Sequence, residues 1–203
     1  MRRYRERVDL NKDSLELIDG EILGDGHLTF HSNRAGSQYM ASSKHKEYLE
    51  WLSDKFTEFG IEQSGKIRFV SNKFGNAWNY SSKSYVDLKN IRLRWYPNDK
   101  KRVPVDINLS PITIRQWFIG DGNLYLISGK YPIVRFATYG YPKEDVELLV
   151  DKINNLGIKC TRYPSDNCIG ISRGSIGYFY NYIGECPEEI KSVYGYKWRV
   201  GGD

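Results

Sequence analysis

Apolar residues recur along this chain with two alternating periods, and the alternation runs through the same order twice. Leu49, Leu52, Phe56 and Phe59 share one face of a helix that stops at Gly60. Val146, Leu149, Ile153 and Leu156 repeat the arrangement and stop at Gly157, 97 residues later. Spacing of three and four residues predicts an amphipathic helix, and a glycine just past its end suits the left-handed cap. Before each of these helices lie segments of period two. His27–His31 sets Leu28 and Phe30 against Thr29 and His31, and Gln38–Ser42 continues in that style. The second copy offers Leu124–Ile127 and Ile133–Thr138. After the helices come further strand candidates, Lys66–Val70 and Trp78–Tyr85, then Lys159–Tyr163 and Cys168–Ser172. A last helix is predicted at Val86–Trp95 and again at Ile176–Ile183. The mixed period defines an α+β fold of two pseudo-symmetric αββαββα halves. The proline-rich stretch Pro97–Pro111 reads as a connector. The expected division is 1–98, a linker at 99–111, and 112–203.

Ahead of each copy stands the segment that organises the rest. Leu17-Ile-Asp-Gly-Glu-Ile-Leu-Gly-Asp-Gly26 and Ile114-Arg-Gln-Trp-Phe-Ile-Gly-Asp-Gly122 both read as a helix ending at an aspartate followed by glycine. The two aspartates, Asp25 and Asp121, are 96 residues apart. A carboxylate at a helix C-terminus meets the negative end of the helix dipole, which disfavours it by several tenths of a kcal/mol. One such turn is an ordinary helix stop. Two in matched repeats indicate a bound cation, whose charge outweighs the neighbouring terms. Gly20 and Gly24 lie on one face of the first helix, where small residues allow a second backbone to approach. Packing the two helices there sets Asp25 beside Asp121, and paired carboxylates suit hard divalent ions. Two such ions about 4 Å apart suit in-line phosphodiester displacement. Gln116 stands where the first motif has Gly20, so the helix interface is expected to be asymmetric.

Charge sharpens the picture. The net charge is +5, and the stretch from Lys66 to Arg102 holds ten Lys or Arg against Asp87 and Asp99. A local basic excess fits a polyanion partner, and it fits a solvated face as well. Within that stretch Lys101 is related to Lys197 by the offset of 96 that relates the aspartates. A lysine near a scissile phosphate stabilises developing negative charge, although a surface position is the ordinary fate of lysine. Three cysteines, Cys160, Cys168 and Cys186, form no close pair, which argues for a reducing compartment. No apolar stretch follows the basic residues at the start and no long apolar run exists, so neither a secretory signal nor a membrane span is expected. His27 and His31 have helical metal-ligand spacing, but in a strand they stand about 13 Å apart, too far to share an ion.

The motif residues resemble the two signature helices of LAGLIDADG homing endonucleases. Trp95-Tyr-Pro, Lys100-Lys101-Arg-Val-Pro104, Leu109-Ser-Pro111 and Trp117-Phe-Ile-Gly-Asp-Gly122 are similar to the linker and second motif of the single-chain, intron-encoded branch. So are Lys44-His45-Lys46-Glu47-Tyr48-Leu49 and Tyr196-Lys197-Trp198. The resemblance covers roughly Ser14 to Trp198. It implies a saddle of strands over the DNA major groove and Mg²⁺ held by Asp25 and Asp121 with the carbonyls of Gly24 and Gly120. It implies Lys101 and Lys197 as active-site lysines, cleavage of both strands of a long asymmetric duplex site with short 3′ overhangs, and action as a monomer inside a cell or organelle. Intein splicing residues are absent from both ends, which implies a freestanding enzyme. DNA contacts are expected from strand positions facing away from the core: Thr29, His31, Gln38, Arg68, Lys83, Arg135, Arg162 and Arg173, with Lys44 beside them. Arg and Gln read base edges bidentately, but a one-residue register shift inverts every such assignment. Two other functions share the scaffold, an intron RNA maturase and a catalytically inactive DNA-binding regulator. The intact aspartate and lysine pairs argue for the nuclease.

Overall fold

The structure, a computed structural model, describes residues 6–30, 35–72, 75–128 and 130–199. In chain order the first half runs α1 (Lys12–Leu23), β1 (His27–Leu28), β2 (Tyr39–Ser43), α2 (Lys46–Glu58), β3 (Arg68–Asn72), β4 (Gly75–Ser81) and α3 (Val86–Trp95). The second runs α4 (Pro111–Asp121), β5 (Gly122–Ile127), β6 (Tyr131–Phe136), α5 (Lys143–Asn155), β7 (Cys160–Tyr163), β8 (Cys168–Ile171) and α6 (Ile176–Ile183). A short tail follows, with α7 (Lys191–Tyr194) and a 3₁₀ turn at Gly195–Trp198. The strands form two antiparallel four-stranded sheets of matching order, β1-β2-β4-β3 and β5-β6-β8-β7. This is the α+β fold of two similar halves that the double periodicity predicts.

Each sheet buries one face. Tyr39, Ala41 and Tyr80 face inward, and the Tyr39 and Tyr80 rings pack on Phe56 of α2 at centroid distances of 4.7 and 5.9 Å. In the other sheet Val134, Phe136, Ile169 and Ile171 face inward, and Phe136 stacks on Trp117 of α4 at 4.1 Å. The amphipathic helices stop where their sequences predict. Gly60 and Gly157 take φ of +77° and +82°, and Ile61 N–H reaches back to Phe56 O at 2.8 Å, the left-handed ending that glycine alone adopts without strain.

The halves meet through α1 and α4, whose backbones touch. A Cβ added at Gly20 would lie 2.5 Å from the Thr113 carbonyl oxygen and 2.7 Å from Gln116 Cβ. Near the C-terminal ends, a Cβ on Gly24 would lie 3.4 Å from Gly120 Cα, and one on Gly120 would lie 3.4 Å from Asp25 N. Gln116 does not separate the helices. Its Cβ occupies the space opposite Gly20, and its amide turns into a buried network described below.

The motif helices end differently from each other. The second ends at Asp121 with Gly122 beyond, as its sequence predicts. The first stops at Leu23, so Asp25 lies past the helix rather than in its last turn. A wider closing bond spanning five residues, Gly26 N–H to Glu21 O at 2.8 Å, ends the helix there. A Cβ on Gly26 would overlap the Tyr39 hydroxyl.

Candidate active site

Close approach of the glycines brings Asp25 and Asp121 to one focus. Asp25 is exposed, and Asp121 is half-buried at the end of α4. Burial pushes the Asp121 carboxyl up to about 6, and the neighbouring charge of Asp25 pushes the same way against Lys101 and Lys197. A desolvated carboxylate beside a second one favours positive charge close by.

Two lysines reach that focus from outside the motif helices, each ending on helix carbonyls. Lys101, in the segment between the halves, donates to Gly24 O at 3.2 Å. Lys197, in the tail, is 4% exposed and donates to Ile119 O at 2.6 Å, Phe118 O at 3.1 Å and Gly120 O at 3.4 Å. These carbonyls lie in the last turns of their helices, where a cation complements the dipole. Burial lowers the Lys197 ammonium to about 8, with both aspartates opposing, and lowers Lys101 for the same reason. The matched offset of 96 is therefore a matched position in space.

Both lysines are anchored by side chains that sequence reasoning misses. Buried Asp145 accepts from Arg102 Nε and Nη2 at 2.9 and 2.8 Å, and from Val103 N–H at 2.8 Å. It thereby pins the two residues that follow Lys101. For Lys197 the backbone is held by Tyr180, whose hydroxyl donates to its carbonyl at 2.6 Å. The turn carrying Asp25 has a support of its own. Glu21 is buried at the floor of the cleft and accepts from the hydroxyls of Tyr39 and Tyr48 and from Gln116 Nε2 at 2.5 Å. Burial raises its carboxyl. At the related position the second motif has Trp117, and that mismatch of acid against indole is the sequence signal that marks Glu21.

The focus opens into a cleft of about 1010 Å³ lined by Asp25, Gly24, Gly120, Lys197 and Tyr194. The cleft continues along the outer face of the first sheet over Ser42, Lys44, Val70, Ala77 and Asn79. Among the described residues no cluster of three or more His, Cys, Asp or Glu is poised for a metal. Two carboxylates, flanking carbonyls and open space nevertheless suit a hard divalent ion that keeps waters or accepts phosphate oxygens as further ligands.

Strand register sorts the expected contact residues. Thr29, Gln38 and Arg68 face away from the core: Thr29 Oγ1 accepts from Gln38 N–H at 3.1 Å, and Arg68 is exposed opposite Asn79. Lys44 is exposed on the cleft wall. Lys83 is ion-paired with Glu62. Arg135 faces outward but pairs with Asp166 at 2.9 Å. Arg173 lies over the Tyr131 ring at 4.5 Å. Arg162 is a correction: it pairs across from inward-facing Ile169 and reaches Glu147 of α5 at 3.8 Å, so it faces the helices. Thr161 and Tyr163 hold the outward positions on that strand. His31 lies outside the described residues. Four of the ten basic residues from Lys66 to Arg102 (Lys83, Arg92, Arg94 and Arg102) sit in ion pairs, and Lys66, Arg68 and Lys100 are exposed. Cys160, Cys168 and Cys186 are free thiols, and no helix of the described residues is long and apolar enough to cross a membrane.

Two touching motif helices, an acid pair at their ends and a matching four-stranded sheet in each half define a class. The chain belongs to the LAGLIDADG DNA endonuclease family, whose model matches residues 15–177. Among its relatives are an uncharacterized protein of Methanocaldococcus jannaschii, 26% identical over 75% of this chain and 63% of that one, and the cytochrome b mRNA maturase bI2 of Debaryomyces hansenii, 28% identical over 77% of this chain and 62% of that one. The chain thus spans somewhat less than two thirds of the length of these two relatives. A probable intron-encoded endonuclease of Wickerhamomyces canadensis is 26% identical over 88% of this chain and 82% of its own length. In fold, the chain is similar to the homing endonuclease I-WcaI bound to its DNA recognition sequence, with TM-score 0.79 at 22% identity over 95% of this chain and 88% of that one. It is also similar to I-DmoI in complex with DNA and Mn, with TM-score 0.53 at 19% identity over 85% of this chain and 97% of that one.

Proposed function

We propose that the protein is a site-specific endonuclease that hydrolyses both strands of a long asymmetric DNA duplex with Mg²⁺, working as a monomer within the cell or an organelle. The observation that carries this reading is the meeting of Asp25 and Asp121 at the contact of α1 and α4, with one lysine reaching each helix end. Divalent ions on the aspartates would activate water and stabilise the leaving oxygen. Asp25 and Asp121 would hold them, with the Gly24 and Gly120 carbonyls in reach. Lys101 and Lys197 would put positive charge where the phosphate becomes more negative, in a site already dry enough to lower both ammonium groups. The Glu21 network and Asp145 would fix the Asp25 turn and Lys101 in place before substrate arrives. Duplex would lie along the outer sheet faces, with Thr29, Gln38, Lys44 and Arg68 near it. The bond of I-WcaI and I-DmoI to DNA in their solved complexes, and of I-DmoI to Mn, supports the choice of substrate and of ion.

The maturase relative favours a second activity on the same scaffold, intron RNA splicing. The test for the first reading is exposure of a randomised duplex library to the protein with and without Mg²⁺, followed by sequencing of cut ends. Enrichment of one long non-palindromic site, cut only with the ion, is expected. No enriched site, or equal cutting in chelator, would overturn it.

A further inference from the structure

The two outward sheet faces differ in chemistry. On the first sheet, register aligns Ser42, Asn79 and Arg68 in one row across β2, β4 and β3. Ser42 Oγ donates to Asn79 Oδ1 at 2.8 Å, which leaves the Asn79 amide N–H₂ as the outward donor. That row is hydrogen-bonding, and its Ser42 and Asn79 line the cleft that starts at Asp25. On the second sheet the outward rows towards the β5–β6 turn are Tyr125 beside Ile133 and Ile127 beside Tyr131, while the row Asn123, Arg135, Gly170 and Thr161 is polar and separates them from Tyr163 on β7. Tyr125, Ile127, Tyr131 and Tyr163 are 37%, 48%, 47% and 41% exposed. Tyr125, Ile127 and Tyr131, grouped around Ile133 on one sheet face, are costly to leave in water and mark a contact surface.

The arginines of this face do not offer a free fork. Arg135 lies over the Tyr163 ring at 4.5 Å while its Nη2 donates to both Asp166 oxygens, at 2.9 and 3.1 Å. Arg173 is stacked on Tyr131. Bidentate reading of guanine needs both guanidinium donors directed at one base edge, and Arg135 is committed elsewhere. What an apolar face can recognise in a major groove is the thymine C5-methyl group.

On the reading given under Proposed function, we infer that the second sheet reads its half-site through thymine methyl groups, with Ile127, Ile133 and the flanking tyrosines as the specificity-determining contacts. The first sheet reads the opposite half-site by hydrogen bonds from Asn79 and Arg68. The two halves share a fold and use different recognition chemistry.

The experiment starts from the site enriched in Ca²⁺ from a randomised duplex library. Ile127→Ala and Asn79→Ala are each profiled on that library, and every half-site is assigned to the variant that relaxes it. Wild-type protein is then titrated with duplexes in which deoxyuridine replaces thymidine in one half-site at a time. Removing methyls from the half-site assigned to Ile127 should weaken binding by about three- to fivefold for each contacted methyl, the worth of one buried carbon. Removing them from the other half should change affinity less than twofold. Ile127→Ala should shrink the deoxyuridine penalty in its own half-site only. An equal penalty in both half-sites, no penalty in either, or a guanine requirement lost in Arg135→Ala would overturn the inference while leaving a DNA-binding protein. A wild-type protein that enriches no sequence would overturn the underlying function and the inference with it.

Discussion

Lys101 and Lys197 occupy related positions with unequal surroundings. Lys197 sits behind three carbonyls of α4, and Lys101 meets one of α1. If both act where charge develops, their removal should slow chemistry more than it weakens binding. Lys101→Met and Lys197→Met should each reduce the single-turnover rate about 10²-fold, with a much smaller change in affinity. Wild-type rates at saturating protein would contradict the assignment. Asp121 provides a pH test. Its carboxyl titrates near 6 in the folded protein against 3.8 as the ordinary value, so between those values the folded state binds more protons than the unfolded one. Stability of the ion-free protein should therefore fall through this group as pH rises from 4 to 6. Asp121→Asn removes the effect: at pH 7 the variant should melt a few degrees higher in chelator, since ~1 kcal/mol is worth about 2–4 °C in a chain of this size. The gap should close below pH 4. Thermal melts across pH check this, and a variant less stable at pH 7 would contradict it.

At the scale of elements, periodicity predicts the helices well because each buries one stripe against a sheet. Val86–Trp95 and Ile176–Ile183 coincide with α3 and α6, and the glycine stops of α2 and α5 are where a left-handed residue is required. Edges of strands were less legible. Register depends on pairing with a distant strand, which local alternation does not encode, and Arg162 faces α5 for that reason. The contact of α1 with α4 was legible from Gly20 and Gly24, because a small-residue face has few other uses. Gly20→Ala sets a methyl against the Thr113 carbonyl, backbone that cannot swing aside. Overpacking of this kind costs about 1–3 kcal/mol. The contrast is Gly177→Ala on α6, where an added Cβ meets nothing within 4 Å and should be neutral or stabilising by about 0.4–1 kcal/mol. Denaturant melts of the two variants measure the difference, and equal midpoints would contradict the close packing.

Over the whole molecule, the aspartates and lysines of the candidate site were visible because repetition marks them. Their supports were hidden because Glu21, Asp145 and Tyr180 act through contacts made by folding. Charge was a partial guide: four of the ten basic residues of that stretch are drawn into ion pairs, so the free charge left for a polyanion is smaller than the count implies. Duplex binding should still weaken steeply with salt, as phosphate contacts release counterions, by about 10³-fold or more between 50 and 200 mM if six or more phosphates are contacted. A flat dependence would exclude nucleic acid as the partner. The central claim concerns the acid pair, and its most direct measurement is single-turnover cleavage of supercoiled plasmid carrying the enriched site, with nicked and linear forms quantified for wild type, Asp25→Asn and Asp121→Asn in Mg²⁺. Wild type should yield linear DNA, while both variants should yield none and retain affinity for the site. Linear product from either variant at the wild-type rate would contradict the assignment of Asp25 and Asp121 as the catalytic centre.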